Sequence, residues 1–97
     1  MDYEFRDQAA AELEAAVDYY NGQKPGLGRE FLDEVDRSLD YIRSFPEAAA
    51  PISARSRRHR LHRFPYGLIY QVMAYQIRIL AVMHLSRRPD YWGDREQ

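Results

Sequence analysis

The 97-residue chain contains no cysteine, which excludes disulfide staples, thiolate zinc sites and cysteine nucleophiles. Its formal net charge of −1 conceals a polarity: residues 1–50 hold 12 acidic and 5 basic side chains, and residues 51–97 hold 3 acidic and 9 basic. The length suits a single domain over residues 1–97. The start, MDYEFRDQ, lacks the basic and apolar regions of a secretory signal, and no apolar run reaches membrane-spanning length, so a cytoplasmic chain with no membrane partner is expected.

The short segment MDYEF reads as a strand that runs straight into a helix. Phe5, Ala9, Leu13, Ala16, Val17 and Tyr20 recur at the spacing of an amphipathic helix, which Asn21-Gly22 is expected to stop. After the breaker-rich connector NGQKPGLG, Leu27, Phe31, Val35, Leu39 and Ile42 predict a second helix ending at Phe45-Pro46. Together these make a helical hairpin. Residues 47–56 carry no period and read as a loop. Arg57–Phe64, Leu68–Ala74 and Gln76–His84 then read as a three-strand antiparallel meander, with Phe64-Pro65-Tyr66-Gly67 as a type I turn. The last strand is apolar on both faces, so it belongs inside the sheet, and MDYEF is the strand available for its second edge. The expected fold is α+β: a helical hairpin packed on a small, mainly antiparallel sheet, with Val35, Leu39 and Ile42 on the sheet face.

Chemistry concentrates in the basic half. Arg55, Arg57, Arg58, Arg60 and Arg63 enclose His59 and His62, and Arg87 and Arg88 follow the last strand. In a strand, Arg58, Arg60 and His62 would share one face and His59, Leu61 and Arg63 the other. The arginines could fork onto phosphate or carboxylate groups, or serve as edge charges that prevent sheet-to-sheet association. Compensation of the basic sheet by the acidic helical layer is the alternative to an acidic or polyanionic partner. His59 and His62 point apart in that geometry and nothing completes a ligand set, so no metal is expected. His84 closes the last strand just before Arg87, where it could exchange protons or simply hydrogen-bond the strand end. Tyr91 and Trp92 could stack on a base or fasten the tail. Neither a phosphate-binding glycine loop nor a Gly-x-Ser-x-Gly elbow is present, and no cofactor is expected.

The order of these elements, with AAVDYYN, GREFLDEVDRSLDYIRSFPEA, RRHRLHRFPYGLIYQV and ILAVMHLSRRPDYW, resembles the RelE/ParE superfamily of type II toxin–antitoxin toxins, most closely its ParE-like, plasmid-stabilisation branch. The resemblance implies a small α/β toxin held in a hetero-oligomer with a cognate, ParD-like antitoxin whose C-terminal region wraps across hairpin and sheet. ParE-like members are associated with poisoning DNA gyrase, whereas RelE-like members cut messenger RNA on the ribosome without a metal. The chain departs from the ribonuclease pattern. Gly67 stands where an arginine commonly precedes the apolar-aromatic strand, and the only lysine, Lys24, lies in the helix connector. Cleavage would therefore rest on His62 or His84 as acid or base, with Arg60, Arg87 or Arg88 stabilising charge. The resemblance favours a toxin that binds its target without catalysis through Arg58, Arg60, His62, His84, Arg87, Arg88, Tyr91 and Trp92. The ribonuclease is the alternative, and a toxin-derived co-repressor without activity is a third reading.

Overall fold

The computed structural model describes residues 1–96. Strand β1 (Asp2–Phe5) leads through Arg6 into helix α1 (Asp7–Gln23), and α2 (Leu27–Ser44) returns beside it. Strands β2 (Ala50–Pro51), β3 (Arg57–Arg60), β4 (Tyr66–Val72) and β5 (Gln76–His84) follow, and a single 3₁₀ turn spans Gly93–Arg95. The sheet order is β1-β5-β4-β3-β2, with β1 parallel to β5 and every other pairing antiparallel. The expected α+β architecture is the observed one, and MDYEF supplies the second edge of β5.

Both faces of the sheet are covered. Phe31, Val35, Leu39 and Ile42 of α2, with Ala9 and Ala16 of α1, pack on Leu68, Tyr70, Ile77, Ile79 and Val82. On the opposite face Trp92 closes over Ile69, Leu80, Ala81 and Met83. A bulge separates the two patterns: Ile69 pairs with Ala81 but Tyr70 pairs with Ile79, so Leu80 is the extra residue. This doubly buried strand is why the sequence IRILAVMH has no alternation.

Three local departures from the sequence pattern have physical causes. Helix α1 runs through Asn21-Gly22 to Gln23, because the Asn21 Oδ1 accepts the Gly28 N–H at 2.9 Å and ties the two helices rather than ending one. The reversal comes later, at Gly26, whose φ of 89° requires glycine. The segment expected as a loop contains the two-residue edge strand β2, too short to leave a period and tolerant of Pro51 because it lies at the edge. Strand β3 ends at Arg60 instead of Phe64, and β4 begins at Tyr66, so that Tyr66 and Gly67 lie in the ladder opposite His84 and Met83. The cause is Glu34. This buried residue of α2 accepts the backbone N–H groups of His62 and Arg63 and draws the chain off the sheet. The connection is closed by a Tyr66 N–H to Phe64 C=O bond of 2.8 Å, a tighter turn than the type I form expected.

Candidate functional site

Arg58 and Arg60 project from the face covered by the C-terminal tail, as strand alternation dictates. Arg58 pairs across β3–β4 with Ile69 and Arg60 with Gly67. A Cβ on Gly67 would lie 3.1 Å from the Arg58 Cγ, so the glycine leaves room for the arginine stem to lie along the strand. Among the described residues neither Arg58 nor Arg60 enters an ion pair with the protein itself. Arg58 also lines a cleft of ≈ 420 Å³ together with Ile52, Pro89 and Trp92.

The tail is clamped by two carboxylates. Glu12 of α1 accepts the Val82 N–H (3.0 Å), the Tyr91 hydroxyl (2.8 Å) and two bonds from Arg95 (3.0 and 3.2 Å), while Arg95 also donates to the Leu80 carbonyl at 3.0 Å. These contacts seal the edge of β5 beyond the end of β1. Glu96 accepts hydrogen bonds from the hydroxyls of Ser53 and Ser56, which hold its carboxyl below the ordinary carboxylate range. Burial, and then the hydrogen bond to Glu12, push the Tyr91 hydroxyl well above its usual pKa, so it remains a donor. Arg87 lies 3.8 Å from the Glu12 Oε2 and stacks on the Tyr91 ring at 3.8 Å, whereas exposed Arg88 pairs with Asp90 at 3.2 Å. Tyr91 and Trp92 thus fasten the tail, and Arg87 is drawn into that fastening.

His84 sits on the other side of the sheet. Its ring meets the edge of Tyr66 at 5.0 Å, and its Nδ1 accepts the Ser86 N–H at 3.1 Å and lies 2.7 Å from the Ser86 hydroxyl. Because a backbone N–H can only donate, the neutral ring carries its proton on Nε2. Strand β4 separates His84 from Arg60, and the two project to opposite faces. His62 lies off the strand, so the expected face shared by Arg58, Arg60 and His62 is broken at its third member. Instead His62 and His59 come together along a groove of ≈ 680 Å³ between α2 and β3, lined also by Arg37, Tyr41 and Arg63 and flanked by Arg58 and Arg60. Burial, and next the nearby His62, lower the pKa of His59 from its ordinary 6.5, with Glu34 acting in the opposite sense.

A family model described as the ParE toxin of the type II toxin–antitoxin system, parDE, matches residues 3–89. The chain belongs to the ParE toxin family. The fold of this ParE-family chain is similar to that of a solved structure titled "Chromosomal ParDE TA system from P. aeruginosa", with a TM-score of 0.77 and 20% identity over 89% of this chain and 97% of the other. A comparison with curated proteins returned no match. The matched residues of the ParE family model include both helices and, apart from Asp2, the five strands, and stop short of Trp92, Arg95 and Glu96. Sequence reasoning missed Glu12 and Glu34, the two carboxylates that organise these surfaces. The available signal for Glu34 was its place one turn from Phe31 and Ser38, inside the apolar stripe of α2 where a solvated glutamate has no reason to sit.

Proposed function

We propose that the chain is a toxin that arrests growth by binding and poisoning DNA gyrase, and that a cognate ParD-like antitoxin neutralises it by laying an acidic segment across hairpin and sheet. Membership of the ParE family supports the toxin–antitoxin part. The α2–β3 groove, with its arginines and histidines, offers an acidic segment charge complementarity.

The observation that carries binding over cleavage by His84 is the separation of that histidine from the free cations. A ribonuclease needs an acid, a base and a charge-stabilising cation around one phosphate. Here His84 and Arg60 lie on opposite faces with β4 between them, and the Arg87 guanidinium is stacked on Tyr91 beside Glu12. Arg58, Arg60 and Arg88 remain as outward cations for a macromolecular target.

Purified chain should inhibit gyrase supercoiling or trap cleaved DNA, while message on translating ribosomes stays intact. The Arg60→Ala/Arg88→Ala double change should abolish inhibition in a protein that melts like the parent. Message cleavage that depends on His84 would replace this reading with the ribonuclease. Normal growth on soluble expression would favour the co-repressor.

A further inference from the structure

His59 and His62 occupy neighbouring positions in one groove although strand alternation would set them apart. Glu34 brings this about by capturing the N–H groups of His62 and Arg63 and so ending β3 at Arg60. We infer that His59 and His62 make the groove's hold on an acidic segment of the antitoxin dependent on protons, tightening as the pH falls. The inference rests on the proposed neutralisation by an acidic antitoxin segment and adds its regulation.

The groups around His59 set the sign. From α2 it meets the Tyr41 ring at a centroid distance of 5.7 Å, and Arg37 and Glu34 line the same groove. Arg58 and Arg60 flank it on β3, and the loop beyond contributes His62 and Arg63, the latter paired with Glu30 at 2.8 Å. Leu68 opposite on β4, and Ala48 and Ala49 across the groove, do not titrate. The surroundings are therefore cationic apart from Glu30, paired with Arg63, and Glu34, whose carboxylate already accepts two backbone N–H groups. Partial burial, and next the nearby His62, disfavour the His59 imidazolium in the free chain, so that His59 sits below its ordinary pKa. Carboxylates of a bound segment reverse both conditions, since they supply opposite charge within a few ångströms of each ring.

A group whose pKa is higher in the complex than in the free protein is protonated on binding, so affinity depends on pH. Affinity is flat above the bound-state pKa, rises as pH falls between the bound and free values, and levels off below the free value. The partner's own carboxylates lose charge only near about pH 4, well below that window. Each proton taken up contributes up to about tenfold in affinity per pH unit.

The test uses the full chain and the purified protein encoded by the adjoining reading frame, titrated by calorimetry from about pH 8 to about pH 5.5 in buffers of different ionisation enthalpy. The expected result is proton uptake and an affinity at least about fivefold higher at the acid end, the gain disappearing in His59→Gln/His62→Gln. Imidazole titration by NMR should show His59 moving to higher pKa on binding, a readout that does not need the variant to fold. Tight binding with a flat pH profile, or an unchanged slope in the double variant, overturns the inference and leaves the toxin–antitoxin reading standing. Absence of binding at every pH overturns both, and undiminished binding by Arg37→Glu/Arg60→Glu overturns the placement in this groove.

Discussion

Glu34 shows how one side chain sets the shape of a surface. It is 3% exposed on the apolar side of α2, and its carboxylate receives the N–H groups that β3 would otherwise turn toward a neighbouring strand. Glu34→Ala removes the acceptor and leaves two part-buried donors without it, so a loss of about 1–3 kcal/mol is expected in denaturant melts, whereas Glu34→Gln, which keeps an acceptor oxygen, should lose less than half of that. Alanine should also release residues 61–64, visible as faster amide exchange there. His59 supplies a second prediction. Its pKa is lowered in the folded chain, so the unfolded chain binds more protons near and below 6.5. Its contribution is fully present above that value and fades as the pH falls through the folded-state value. Stability measured across this interval should decline less steeply for His59→Gln than for the parent.

At the scale of elements, the hairpin closes on Gly28. A Cβ there would meet the Val17 backbone carbonyl oxygen at 2.5 Å and the Asn21 side chain at 2.6 Å, so Gly28→Ala must spread the helices or break the Asn21 bond. A loss of about 1–3 kcal/mol in thermal or chemical unfolding is expected, despite the higher helix propensity of alanine. Gly22, with open space around its Cβ position, should tolerate the same change. The helices and β5 were legible because their apolar residues repeat at 3.6 positions or fill an unbroken run, and Gln76–His84 emerged with its observed bounds. The end of β3 was not. Arg57 to Phe64 reads as one run, and only a carboxylate distant in sequence stops it. The pairing of His59 with His62 was hidden for the same reason, since it follows from the interruption and not from the pattern.

Across the whole molecule the division of charge is partly settled inside the chain. Glu12 with Arg87 and Arg95, Glu30 with Arg63, and Glu4 with Arg78 join the acidic first half to the basic second half. Arg58 and Arg60 stay outside these pairs, which narrows the positive surface offered to a partner. The Glu12 clamp also predicts that Tyr91→Phe, and more strongly Arg95→Ala, will loosen the tail. Limited proteolysis should then cut between residues 86 and 96 several times faster, with the rest of the chain protected as before; unchanged cutting would mean that Trp92 burial alone secures the segment. The pairing of β1 with β5 sets the order in which the chain assembles. Asp2 lies beside Gln76 and Phe5 beside Ile79, with both helices and three strands between them in sequence. Closing so long a loop is entropically costly until the meander exists, so the hairpin and the antiparallel strands gather first and β1 docks last. A strand that arrives after the rate-limiting step is also the first to leave. Weakening β1, as by Phe5→Ala, should therefore hasten unfolding while barely slowing folding in stopped-flow measurements, which would place control of the folded protein's lifetime at its N-terminal edge.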